Sequence, residues 1–178
     1  IDLAGANDSR GAAQAWSAAI AISPDDAKLW DGLARSAIGI AATNANDAWT
    51  WRQNASSAAL NAYQLTRSTG ERAVTLATLA AAFEARNQWR PALEAYKASL
   101  ELISAPDVQA AYDDLRARRG FRVVDHTIDS DSRDPRVCVQ FSEPLVKSGV
   151  DYAQFVTVDG MANAAVVAEE RQVCVEGL

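Results

Sequence analysis

Apolar positions change their period once along the chain. Before Gly120 they recur at three- and four-residue intervals, as in Ala12, Trp16 and Ala19 and again in Leu76, Leu79, Ala80 and Phe83. That spacing lines one face of a helix. After Gly120 they alternate, as in Val137, Val139 and Phe141 and in Val173 and Val175, the spacing of one strand face. The switch falls in Arg118-Arg119-Gly120-Phe121. Basic residues followed by glycine are a helix C-terminal signal. The pattern predicts an α+β chain of two domains, helical over 1–120 and β over 121–178.

Strands are expected over 121–128, 136–141, 155–158, 164–168 and 172–175. Between them lie turn formers: Asp129-Ser130-Asp131-Ser132 with Asp134-Pro135, then Pro144, Gly149 and Asp159-Gly160. Short strands at this spacing point to a β-sandwich of immunoglobulin type. Five candidates against the usual total of about seven predict a truncated one.

The helical part carries a repeat. The tetratricopeptide pattern sets W-x2-L-G-x2-Y on a first helix and A-x3-F, then Pro, on a second, with a period of about 34 residues. Ala12, Trp16, Ala19 and Pro24 fit a second helix and its terminator. Trp30, Leu33, Ala34 and Ala37 fit the next first helix after the turn Ser23-Pro24-Asp25-Asp26. Asn44 to Asp47 reads as a loop, after which Ala59 and Tyr63 restore the spacing. Leu76, Leu79, Ala80 and Phe83 form another first helix. Ala92 and Tyr96 form its partner, with Pro91 in its first turn and Pro106 just beyond it. Small residues let paired helices approach, and a pair that cannot cover its own apolar face stacks on the next. Trp49 and Trp51 stand two apart, so they do not share one helical face. One of them is expected at a helix end or in a groove, which makes the two a candidate partner-binding surface.

Composition narrows the chemistry. Hydrophobic residues are 49% and charged residues 22%, enough to bury a core. Asp and Glu number 23 against 17 Lys and Arg, a net charge of −6. That balance weighs against a nucleic-acid partner, because no basic excess faces the phosphates. Within it, residues 1–120 hold 13 acids and 12 bases, and residues 121–178 hold 10 and 5. No apolar run reaches the roughly 18 residues of a membrane span. The chain opens at Ile1 with no basic head and apolar run of a signal peptide, so it reads as a mature or excised piece.

One histidine and two cysteines cannot make a closed His/Cys zinc site. His126, between Asp125 and Thr127, lacks a nearby nucleophile apart from turn serines and reads as a surface or strand-end histidine. Asp129, Asp131 and Asp134 lack the Gly and terminal Glu of a calcium loop and read as a solvated turn. Glu169 and Glu170 adjoin the last strand, where adjacent side chains point apart, so a paired-acid site is not expected. Asn54-Ala55-Ser56 matches a glycosylation acceptor, a short pattern that chance readily supplies. These readings leave no catalytic, metal or cofactor residues, so a non-enzyme is expected. Cys138 and Cys174 each lie mid-strand between valines. A bridge on the outer face of paired strands and two free thiols both fit this pattern. The bridge is favoured for the chain entropy it removes, given an oxidising compartment.

The β part then supplies a resemblance. Gly120-Phe121-Arg122-Val123, Asp129-Ser130-Asp131, the run Pro135-Arg136-Val137-Cys138-Val139-Gln140-Phe141-Ser142-Glu143-Pro144-Leu145, Val156-Thr157-Val158 and Gln172-Val173-Cys174-Val175-Glu176-Gly177-Leu178 together resemble the first immunoglobulin-like domain of bacterial alpha-2-macroglobulins. The alphaproteobacterial branch carries an Ala-rich helical repeat just before it, as here. The resemblance implies a large periplasmic or envelope-attached protease trap, in which a cut bait segment exposes a Cys-Gln thioester. Its partners would be further domains of the same long chain and, through the whole protein, target proteases. The thioester needs Cys-x-Glu-Gln. Here Gly177 stands in the glutamine position after Cys174-Val175-Glu176, and Cys138-Val139-Gln140 has the wrong spacing. The resemblance therefore implies a non-catalytic scaffold segment. A tetratricopeptide adaptor that binds a peptide or partner protein is the competing expectation.

Overall fold

The computed structural model describes residues 8–131, 135–160 and 164–177. The chain forms two compact units, Ile1–Arg119 and Gly120–Leu178.

The first unit is all helix: α1 (Ser9–Ile22), α2 (Ala27–Ile38), α3 (Ala45–Leu65), α4 (Thr69–Ala85), α5 (Trp89–Leu102) and α6 (Pro106–Arg119). Four of these starts are written in short polar side chains. Asp8 accepts from the Gly11 amide, Asp26 from Lys28, Asn44 from Asp47 and Ser68 from Glu71. Each satisfies an amide that has no partner in the first turn. One expectation changes here. Residues 44–47 are the capped start of α3 and not a loop, because Asn44 serves as the cap and Asp47 lies in the first turn. Pro106 lies just beyond α5, which ends at Leu102. It is the first residue of α6, where its missing amide costs nothing.

Each helix packs on the next, and α2 also packs on α4. One core joins Ala34 and Ala37 of α2, Ala55, Ala58 and Ala59 of α3 and Leu79 and Ala82 of α4. Trp30, Trp51 and Phe83 close its flanks. A second joins Ala80, Ala92, Ala95, Tyr96 and Leu115. The division of labour is steric: alanines on facing helices permit close approach, and aromatic rings fill what remains. Gly32 is the tightest case. A Cβ there would stand 2.6 Å from the Trp16 indole, so the α1–α2 contact needs glycine despite its low helix propensity.

The second unit is a four-stranded antiparallel sheet of β1 (Val123–Asp129), β2 (Arg136–Phe141), β3 (Ala165–Glu169) and β4 (Gln172–Glu176), in the order β1-β2-β4-β3. The strand expected over 155–158 is not one. Tyr152–Phe155 is a turn of 3-10 helix, its start capped by Asp151 accepting from Ala153, and Phe155 is 72% exposed. The local capping geometry outcompetes an alternation only three residues long. Register sorts the side chains onto two faces. Val137, Val139, Val173, Val175, Val166 and Ile128 share one, and Thr127, Cys138, Cys174 and Val167 form a row across the other. The core of the unit is small: among its described side chains, Cys138, Val173, Cys174 and Val175 are buried.

Candidate interaction surfaces

The tryptophan pair divides. Trp49 stands 62% exposed on α3. Trp51 packs on the first core, donates its indole N–H to Asp47 Oδ1 at 3.0 Å and lies under the Arg10 guanidinium. Asp47 is the hub of this corner. It accepts from Arg10 of α1 at 2.8 Å and from the Thr43 amide at 2.9 Å. Arg10 first, then the Thr43 amide, pull its carboxyl from the usual 3.8 down to about 2. A carboxyl with a lowered folded pKa contributes stability above its ordinary value and loses it as pH falls through the folded one. The α1–α3 tie is therefore expected to hold at pH 5 and release between about pH 4 and pH 2. A carboxyl-detected NMR titration should place the Asp47 midpoint near 2. A midpoint at the ordinary value would mean that the Arg10 contact does not persist in solution.

A groove of about 460 Å³ crosses the helical unit. Its floor is α4, through Ala73, Val74, Ala77 and Ala81. Ile38 of α2 stands on one side and Val108 of α6 on the other. The hydroxyls that line it are turned inward: Ser99 donates to the Ala73 carbonyl at 2.7 Å and Thr78 to the Val74 carbonyl at 3.3 Å. Tyr96 donates to Glu84, and burial, with the Glu84 charge behind it, pushes the phenol up to about 12. The groove thus presents mainly apolar surface, with Arg35 and Asp107 also in its lining, suited to a side chain or helix face, with the Tyr96 phenol held protonated at neutral pH. Nothing in the sequence signalled it, because residues of α2, α4, α5 and α6 come to line one groove only in the folded unit.

Cys138 and Cys174 are joined by a disulfide. They are direct partners across β2 and β4, with Cα atoms 4.0 Å apart. Both are buried, at 6% and 3% exposure, although they share their face with the polar residues Arg136, Gln140 and Gln172. The bridge lies on the face opposite Val137, Val139, Val173 and Val175.

The remaining candidates are scattered. His126 is exposed on β1, and its amide donates to Asp125 Oδ1 at 2.8 Å. Asp131 accepts from the Ser130 hydroxyl, Asp129 ends β1 opposite Arg136, and Asp134 lies outside the described residues. Glu169 ends β3, and Glu170, at φ 45°, occupies the hairpin turn before β4. Asn54 is exposed within α3, while Ser56 is buried and donates to the Arg52 carbonyl. Among the described residues no group of His, Cys, Asp and Glu is arranged to hold a metal ion. No described helix is long and apolar enough to cross a membrane. Comparison of the chain with protein-family models and with curated proteins finds no match.

Proposed function

We propose that the chain is a non-catalytic scaffold segment of a bacterial alpha-2-macroglobulin-like protease inhibitor, a tetratricopeptide-like array followed by part of an immunoglobulin-like domain. One observation supports the immunoglobulin-like part of the reading, and the family assignment rests on the sequence resemblance. The strand order β1-β2-β4-β3 is the A-B-E-D order of one immunoglobulin sheet, if the irregular stretch around Tyr152–Phe155 takes the place of strand C. The valine face of this sheet is then the face on which the second sheet packs. The disulfide departs from the usual pattern, since it links B to E within one sheet where antibody domains link B to F between sheets. It supports an oxidising compartment such as the periplasm or cell envelope. Partners in this reading are further domains of the same polypeptide and, through them, target proteases.

An immunoblot of fractionated cells tests it. A far longer periplasmic product whose reading frame carries Cys-x-Glu-Gln is expected. A short cytoplasmic product would overturn the proposal. The groove across α2, α4 and α6 favours a second reading, a peptide-binding adaptor, since first helices line the concave face of such arrays. The short product would support that one.

A further inference from the structure

The edge of the sheet at β1 bears on a question separate from the scaffold reading. β1 is an outer strand, and all seven of its residues are exposed. Strand edges present unpaired backbone groups, and proteins usually blunt them. The direction of those groups follows from the cysteine pair. Directly opposed residues with close Cα atoms form the non-hydrogen-bonded pair of an antiparallel ladder, and Cys138 and Cys174 stand 4.0 Å apart. The backbone groups of Cys138 therefore turn away from β4, toward its β1 partner Thr127. Phe141, two positions on from Val139, donates its amide toward the β4 side, to the Arg171 carbonyl, and Ser142 donates toward the β1 side, to Arg122. Both bonds agree with this alternation. By the same parity His126 and Ile128 turn their N–H and C=O groups outward.

Three features describe what fits there. Ile128 is 67% exposed, and Val123 shares its face. Asp125 and Asp129 lie on the opposite face of the same strand, flanking Thr127. The outward amide of His126 is already held by Asp125, which leaves Ile128 as the centre of the edge. An added strand would thus set alternate side chains beside a row of Val123, His126 and Ile128 and a row of Asp125, Thr127 and Asp129, the last opposite Arg136 of β2. A second copy is a poor occupant, since residues 121–178 carry 10 acids against 5 bases and two such units repel.

We propose that the β1 edge is a docking site for an extended segment of a partner protein in which aliphatic residues alternate with lysine or arginine. Main-chain bonds to Ile128 give the affinity, and the two rows of β1 give the specificity.

Ile128→Pro is the discriminating variant. Its lost amide points away from β2, so the ladder within the sheet keeps its bonds. Fluorescence anisotropy of the full chain with a labelled peptide alternating lysine and valine should show binding that weakens at least about tenfold in Ile128→Pro and in Ile128→Lys. A peptide alternating glutamate and valine should bind at least about tenfold more weakly than the lysine peptide. Circular dichroism and hydrogen exchange over β2 and β4 confirm that the variants fold. Three results would overturn the proposal: no binding of the lysine peptide, equal binding by folded Ile128→Pro, or self-association of the parent chain that this variant abolishes.

Discussion

Replacing Cys138 and Cys174 together by alanine is expected to cost the β unit about 3–4 kcal/mol, the value for a bridge spanning 36 residues in the chain-entropy model. That is a large share of what so small a unit can hold. A core of this size seldom supplies more than about 3–5 kcal/mol, and here the bridged cysteines are themselves two of its buried members. The neighbours cannot compensate, since β1 is exposed along its whole length and contributes little burial. All five tryptophans lie in the helical unit, so indole fluorescence does not see this loss. The readout is amide exchange. Protection over Arg136–Phe141 and Gln172–Glu176 should collapse in the double variant, and in the parent on reduction, while the amides of α4 and α5 keep their rates. Equal protection with and without the bridge would show that the valine face alone holds the sheet.

The division into helices and sheet was legible because both periods are local. So were most helix starts, since a cap and its amide lie two or three residues apart. Asn44 misled for a definite reason: asparagine favours turns and caps alike, and what decides is the run of buried Ala55, Ala58, Ala59 and Ala62 beyond it. The segment 155–158 misled because three alternating residues weigh less than the Asp151 cap just before them. What sequence could not supply was pairing. The spacing of Trp49 and Trp51 says that they face apart, but which is buried depends on Arg10 and Asp47 meeting between α1 and α3. Alternation in β1 matches that of a half-buried strand. Only the order β1-β2-β4-β3 places it at an edge. The cysteines and the groove follow the same rule, because register and helix stacking are non-local.

Leu115→Ala is expected to destabilise the helical unit by about 3–5 kcal/mol, toward the upper part of the range for buried leucines. Leu115 has no exposed surface and is the buried residue of α6, a helix otherwise rich in charge. Its core neighbours include Ala80, Ala92 and Ala95. Alanines have no side-chain freedom with which to collapse into the vacated space, so most of the cavity should persist. Helix propensity runs the other way, since alanine is at least as good a helix former as leucine, and any loss therefore measures packing. Urea unfolding followed by tryptophan fluorescence reads this unit directly. Asp113→Ala on the same helix, whose side chain only accepts from Gln109 in solvent, serves as the control and should stay within about 0.5 kcal/mol. A Leu115→Ala loss no larger than the control would mean that the α6 contact contributes little. The same substitution probes the groove, because α6 supplies Val108 and Ala111 to its lining. If Leu115 is the anchor, exchange of the α6 amides should accelerate before the core around Ala34 and Ala59 opens, and one wall of the groove should be lost with them.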